Sequence, residues 1–173
     1  MELLELMRER YSVREFEDKK IEQEELDKIL EAGRIAPTAC NYQPQRILVL
    51  QEKESIEKLK ECTKYTFDAP VILLICVEKE KGWVRRYDNK NHAEIDAAVV
   101  TTQMMLEAYS LGIGSTWVCS FNPEKVKENF NIPETYEIVN ILPMGYPKAG
   151  NKPSLMHAER LDLSETVFYG EYK

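Results

Sequence analysis

Apolar residues recur at helical spacing from the start of the chain. Leu3, Leu4 and Met7 predict a helix over 2–10. Leu26, Ile29, Leu30 and Gly33 follow the i, i+3, i+4, i+7 pattern and predict a stronger helix over 23–35. It must close before Pro37, because the residue preceding a proline avoids helical angles. Ile47 to Leu50 predicts a short strand within 46–51, and Ile56 and Leu59 mark the inner face of an exposed helix over 53–63. Residues 71–77 are apolar without a break, the pattern of a central strand covered on both faces. The next stretch, 79–92, is charged and irregular, with Trp83 and Tyr87 embedded in it. A long helix is predicted over 93–111, with Ile95, Ala98, Val99, Thr102, Met105, Leu106 and Tyr109 as its inner face. Apolar residues on its rear predict burial on several sides. Gly112 to Ser115 leads into a strand over 116–119, and Asn122-Pro123-Glu124 supplies a capping side chain, a proline at N1 and an acid for a helix to about 130. The last clear strand is 136–142, followed by a loop over 143–153. The tail from Arg160 carries Leu161, Leu163, Val167, Phe168, Tyr169 and Tyr172. Helices followed by strands alternating with helices predict one layered α+β or α/β domain over 1–173.

Composition narrows the class of protein. With 43% hydrophobic and 31% charged residues, the chain reads as a soluble globular protein. Its 23 basic and 30 acidic residues give a net charge of −7, and no long basic run occurs, so nonspecific nucleic-acid binding is disfavoured. No apolar run approaches the ~20 residues of a membrane helix. Glu2 and Glu5 inside the first apolar stretch argue against a secretory leader, which makes a cytoplasmic location the expectation. Cys40, Cys62, Cys76 and Cys119 form no C-x-x-C pair, and His92 and His157 lie far apart. Metal-ligand spacing is absent, and four reduced thiols are expected.

Three short segments bear chemistry. Arg10, Ser12 and Arg14 alternate, so an extended backbone turns all three side chains to one side, a donor set that suits a phosphate monoester. The same residues also suit surface ion pairs with Glu9, Glu15 and Glu17. Asn41 and Gln43, between Pro37 and Pro44, offer donor and acceptor groups that match the edge of a flavin or nicotinamide, and they equally suit an ordinary loop. Gly112 and Gly114 permit close backbone approach where the 116–119 strand begins, or form a plain helix-to-strand turn. None of the seven glycines builds G-x-G-x-x-G or a phosphate-binding P-loop, which argues against a dedicated dinucleotide-binding domain. No Ser/His/Asp arrangement is visible. Cys40 reads as a structural thiol, since nothing near it in sequence depresses its pKa.

Taken in order, these segments resemble the FMN-dependent nitroreductase family over nearly the whole length. Arg10-Tyr11-Ser12-Val13-Arg14-Glu15-Phe16 resembles the family's Arg-x-Ser-x-Arg-x-Phe entry. Ala36-Pro37-Thr38-Ala39-Cys40-Asn41-Tyr42-Gln43-Pro44 resembles its second signature. The stretch from Asp96 to Gly114, running into Ser115-Thr116-Trp117, is similar to its long helix and flavin-facing strand, and Gly145-Tyr146-Pro147 with Arg160 resembles its closing motif. The resemblance implies an α+β fold with a mostly antiparallel central sheet flanked by helices, and a homodimer with an exchanged C-terminal arm and two interfacial sites. It implies tightly bound FMN and NAD(P)H as a transient co-substrate. It implies that Arg10, Tyr11, Ser12 and Arg14 hold the phosphate and ribityl chain, with Arg160 closing on the phosphate. It further implies that Pro37, Thr38, Ala39, Asn41 and Gln43 contact the flavin, one side of each site coming from the partner, and that backbone around Trp117, Val118 and Cys119 faces the ring. The chemistry is then the cofactor's, with no catalytic side chain and no metal.

Some residues depart from the family pattern. Ala158 stands where a second basic residue often precedes the closing arginine, and Cys62 and Tyr65 stand where larger members carry a polar Asn and Lys. Cys119 occupies a position that is often Gly or an acid. Trp83 and Tyr87 are the candidate substrate-side residues, within a segment that otherwise reads as a solvent loop. The expected activity is reduction of nitroaromatics, quinones or enones. The alternatives are a flavin-binding or FMN-storage protein without turnover, and a flavin-cleaving or dehalogenating relative.

Overall fold

A computed structural model of the chain describes residues 2–172. Its centre is an antiparallel four-stranded sheet of order β1-β2-β4-β3, built from β1 (Gln45–Leu50), β2 (Val71–Glu78), β3 (Gly114–Ser115) and β4 (Tyr136–Gly145). The unbroken apolar run becomes β2, which lies between β1 and β4 with Leu73 opposite both Val49 and Leu142. Alternation along β2 divides the core. Val71, Leu73, Ile75 and Val77 pack towards α2 (Gln23–Arg34) and α4 (Ala93–Ser110), whereas Ile72, Leu74 and Cys76 pack with Ile56, Leu59 and Val126 of α3 (Lys53–Lys60) and α5 (Pro123–Phe130). Both faces are therefore covered, as the continuous pattern requires, and each fully buried aliphatic side chain contributes about 1.5–3 kcal/mol. Burial pushes the Cys76 thiol up to about 11, so it is an inert core group.

The helix termini follow local chemistry. Asn122 Oδ1 accepts from Lys125 N–H at 3.1 Å and caps α5, which ends at Asn131 in a left-handed conformation. In α2, Glu22 and Glu25 form a capping box. Gly33 sets the approach of α2 to α4: a Cβ there would lie 2.9 Å from Met104 Cγ.

Three expectations need correction. The inner face of α4 is Ala93, Asp96, Ala97, Val100, Thr101, Met104, Met105 and Ala108; Ile95 and Val99 point outward, 44% and 36% exposed. The helix is apolar on most of its circumference, so periodicity alone chose the wrong stripe. Helix α1 (Leu3–Glu9) forms, but it buries none of its residues within the chain, and Leu3, Leu4 and Met7 stay exposed. The strand expected over 116–119 is only β3 at Gly114–Ser115 plus one bridge, Val118 to Ile141, while β4 runs on through Pro143 to Gly145. The Pro143 carbonyl accepts from Thr116 N–H at 3.1 Å, but Pro143 has no N–H to return, which interrupts the pairing of 116–119 with β4 at that point.

Segment 10–16 is laid against β3. Ser12 bridges Ser115 in parallel, Val13 N–H donates to Ser115 O at 3.1 Å, and the Val13 side chain is fully buried. Close approach depends on Gly114, where a Cβ would lie 2.5 Å from Val13 Cγ2. Gly114→Ala is therefore expected to cost about 1–3 kcal/mol through overpacking, read by urea denaturation, and to loosen 10–14 before the sheet, read by amide exchange at Val13.

Candidate functional site

The extended segment after α1 presents its residues alternately. Val13 and Phe16 go into the core, while Arg10, Ser12 and Arg14 are left at the surface or half-buried. Ion pairing does not occupy the arginines: among the described residues, Arg10, Arg14 and Arg160 make no salt bridge. Arg10 Nη1 is buried and has no hydrogen-bond partner. Burial, followed by the charge of Arg160, pushes the Arg10 guanidinium down from its ordinary value, against a smaller opposing effect of Tyr109. The charge of Arg160 thus acts on Arg10, and among the described residues neither guanidinium makes a salt bridge with a carboxylate. That donor set is completed by an anion with several acceptor oxygens, and a phosphate monoester fits it.

Tyr11 and His157 hold Arg160 in reach. Tyr11 meets the His157 ring edge-on, with centroids 6.3 Å apart; its hydroxyl donates to Asn151 O at 3.5 Å, and His157 Nε2 lies 3.0 Å from Arg8 O. Tyr11 is therefore a strut for the chain that carries Arg160. Nearby, Tyr146 of the closing motif donates to Glu25 on α2, which raises its pKa to about 12, and Lys19 Nζ lies 3.8 Å from the centre of its ring.

Arg14 turns to a neighbouring cleft of about 320 Å³, lined by Arg14, Tyr65, Phe67, Trp117, Val118 and Cys119 among others. Val118 exchanges both backbone hydrogen bonds with Ile141 at 3.0 Å. The N–H groups of Trp117 and Cys119 point the other way, and neither has a backbone acceptor among the described residues. Trp117 Nε1 donates to Cys119 Sγ at 3.1 Å, which fixes the indole beside the cleft. A cation, free amides and aromatic walls together suit a planar heterocycle such as the ring of a flavin.

The second signature lies elsewhere. Pro37, Asn41 and Gln43 are exposed, and Thr38 and Ala39 half-buried, in a loop where Cys40, Asn41 and Gln43 all have φ between 51° and 56°. Three non-glycine residues in the left-handed region within four positions is costly local geometry. Gln43 N–H donates to Thr38 Oγ1 at 3.1 Å and Gln43 Nε2 to Asn41 O at 3.2 Å. Ala39 N–H donates to Asp96 Oδ1 at 2.9 Å, which fastens the loop to the first turn of α4. Arg10 lies beside Tyr109, in the last turn of the same helix. From Asp96 to Tyr109, thirteen residues at 1.5 Å each, is about 20 Å. Within one chain, then, the two signatures stand at opposite ends of α4.

Trp83 and Tyr87 also lie at the Asp96 end. Residues 83–92 form a hairpin-like turn, with Arg85 N–H on Lys90 O at 2.9 Å and His92 N–H on Trp83 O at 2.9 Å. Trp83 is half-buried, edge-on to His92 at 5.0 Å, and Tyr87 is 98% exposed at the tip. Neither reaches the Arg14 cleft of its own chain. Sequence reasoning singled out Tyr65 only as a departure from the family pattern, and it gave no site role to Phe67, Tyr109 or Asp96. The signal for Asp96 was present: a lone acid within an apolar helical stretch, Ile95-Asp96-Ala97-Ala98.

The chain is similar to known proteins over most of its length. The model of the Nitroreductase family matches residues 7–65 and 62–146. A relative from Methanothermobacter thermautotrophicus, named as an NADH dehydrogenase/NAD(P)H nitroreductase, is 31% identical over 159 residues, 85% of this chain and 78% of its own. One from Bacillus subtilis, named FMN reductase [NAD(P)H], is 25% identical over 89% of this chain and 70% of its own. The crystal structure of a nitroreductase family protein from Clostridium difficile 630 superposes with a TM-score of 0.92 at 45% identity, covering 99% of this chain and all of that one.

Replacing Arg160 with alanine removes a like charge from Arg10. Thermal unfolding in an anion-free buffer is expected to be unchanged or shifted upward, and the added stability conferred by phosphate on the parent protein is expected to shrink in the variant.

Proposed function

The chain belongs to the nitroreductase family, and on that premise we propose that it is an FMN-dependent oxidoreductase. It takes reducing equivalents from NAD(P)H and passes them to electron-poor acceptors such as nitroaromatics, quinones or enones, in a ping-pong cycle. The observation that carries this reading is Arg10, whose Nη1 is buried and unpartnered, and which like Arg160 makes no salt bridge among the described residues. When bound, FMN supplies the hydride chemistry. Arg10 and Arg160 balance the phosphate charge. Ser12 lies on the ribityl side, and Arg14 takes the ring side, within the cleft that also holds Trp117 and Cys119. The free N–H groups of Trp117 and Cys119 orient the ring edge, while Tyr65 and Phe67 exclude water from one wall. No side-chain acid or base is assigned a catalytic role.

We further infer that the working unit is a homodimer. Loop 37–43 stands about 20 Å along α4 from Arg10, so a single FMN is best served by Arg10, Arg14 and Trp117–Cys119 of one copy with Asn41 and Gln43 of the other. Trp83 and Tyr87, at the same end as the loop, then belong to the acceptor side of the partner's site. Exposed Ile95 and Val99 on α4, the apolar face of α1, and a tail with Tyr169 and Tyr172 almost fully exposed all call for cover that one chain does not provide. The outer edge of β1 is unpaired among the described residues, and Val167 is extended, which suits a C-terminal arm lying on the partner.

Anaerobic mixing of the purified yellow protein with NADH and NADPH tests the activity: rapid bleaching of the bound flavin with at least one donor is expected. A protein that binds FMN but bleaches with neither is a carrier. Arg10→Ala should weaken FMN binding by the worth of a charge-assisted contact, about 1.5–3 kcal/mol or roughly 10–100-fold in Kd, measured by quenching of FMN fluorescence. Light scattering is expected to give a dimer, with removal of residues 163–173 shifting it towards monomer; a monomeric parent protein overturns the shared site.

A further inference from the structure

The α4 carboxylate of Asp96, which fastens loop 37–43, is a costly group to bury. It is 95% buried, with only 5% of its surface exposed, and lies beside Ala93 and Ala97 on the inner face of the helix. Oδ1 accepts from Ala39 N–H at 2.9 Å across 57 residues of chain, and Oδ2 is buried without a partner. A half-satisfied buried carboxylate is destabilising unless something offsets it. Position in the first turn of an 18-residue helix offsets part, since the helix dipole favours negative charge there. What remains is spent on one amide, that of Ala39.

That amide opens the loop whose backbone is least able to hold itself. Cys40, Asn41 and Gln43 are left-handed, and the internal ties are short-range: Asn41 N–H to Thr38 O, Tyr42 N–H to Ala39 O and Gln43 N–H to Thr38 Oγ1. Arg46 Nη1 holds Gln43 O at 3.1 Å from the strand side. On the helix side, the tie is Asp96. The same end of α4 also secures the 79–92 turn, because Asn91 Oδ1 accepts from Ala93 N–H at 2.9 Å while Asn91 Nδ2 donates to Lys79 O at 2.9 Å.

We propose that Asp96 is a positioning residue: its buried carboxylate sets the amide of Ala39 and thereby aims Asn41 and Gln43 at the cofactor. The aim is at FMN only because of the function proposed above; the hold on the loop does not depend on it. Strain in 40–43 is maintained by this contact, so losing it lets the loop relax to ordinary φ while α4 and the sheet remain.

Amide exchange resolved along the chain, together with FMN titration, tests this. In the parent protein, Ala39 N–H should exchange slowly although the loop around it is exposed; free exchange there overturns the proposal without any variant. Asp96→Ala should speed exchange within 38–43 and leave that of β2 unchanged, and should raise the Kd for FMN about tenfold or more, the loss expected of one charge-assisted hydrogen bond. Asp96→Asn keeps a neutral oxygen opposite Ala39 N–H and should bring both values part of the way back towards the parent's. Exchange at 38–43 that stays at the parent rate in Asp96→Ala, or that rises equally throughout β2 and α4, overturns the positioning role. If the parent protein binds no FMN, the cofactor reading fails and the exchange results still decide the hold of Asp96 on the loop.

Discussion

Helix α4 is apolar on most of its circumference, and one chain covers only part of it. The sheet takes Ala97, Val100 and Met104, α2 is drawn in over Gly33, and α1 packs at the far end. Ile95 and Val99 remain outside. A long helix that must be covered all round but is not covered by its own chain sets the terms for everything attached to it. Its first turn anchors loop 37–43 through Asp96, and its last turn lies beside Arg10. The helix is therefore both the spine of the core and the spacer between two sets of ligand-facing groups. In the proposed dimer, the covering of α4 and the assembly of a complete site would be one requirement, met by one event, the arrival of a second copy.

Costly geometry gathers where that event would bring groups together. Besides Cys40, Asn41 and Gln43, the consecutive residues Phe67 and Asp68 are left-handed, and Phe67 lines the Arg14 cleft. Asn89 and Asn131 also have positive φ, but asparagine tolerates it and both sit in ordinary turn or cap positions. Cysteine, glutamine and phenylalanine do not share that tolerance, so their strain must be held by surroundings. Those holds are visible: Asp96 for the first loop, and for the second Lys60, which pairs with Asp68 at 2.7 Å.

Local chemistry made much of this legible beforehand. The central strand, the capped helix at Asn122 and the end of α2 before Pro37 each follow from a few neighbouring residues, and the structure agrees with them. The extended setting of Arg10, Ser12 and Arg14 followed from the end of the first helix near Arg10, and the ion-pair alternative fell only when the structure showed no salt bridge to either arginine among the described residues. What escaped was decided by tertiary contacts. Which stripe of α4 faces inward depends on where the sheet lies, because both stripes are apolar. The expected strand over 116–119 shrank because Pro143, opposite Thr116, has no N–H to return to it, so the ladder with β4 is interrupted there and resumes only at Val118. The N–H groups of Trp117 and Cys119 point away from β4, as alternate residues of an edge strand do. The separation of the two signatures along α4 is a property of the fold, invisible in their spacing of thirty residues.

Charge gives the last link between composition and site. The chain carries −7 overall, so an anionic cofactor meets net repulsion at long range. At about 0.15 M ionic strength that repulsion fades beyond ~8 Å, and what decides binding is the local field. There the sign reverses, because Arg10, Arg14 and Arg160 stand without acidic partners and Arg10 is partly desolvated. Desolvation costs Arg10 some of its preference for the charged form, and an arriving phosphate restores it by supplying the counter-charge that water no longer does. Recognition of this kind is short-ranged, and it depends on the close approach of Val13 to β3 and on the strut from Tyr11 to His157, since both fix where the guanidinium groups stand. The fold thus places three cations on an acidic protein, and the proposed selection of an anionic cofactor rests on that placement.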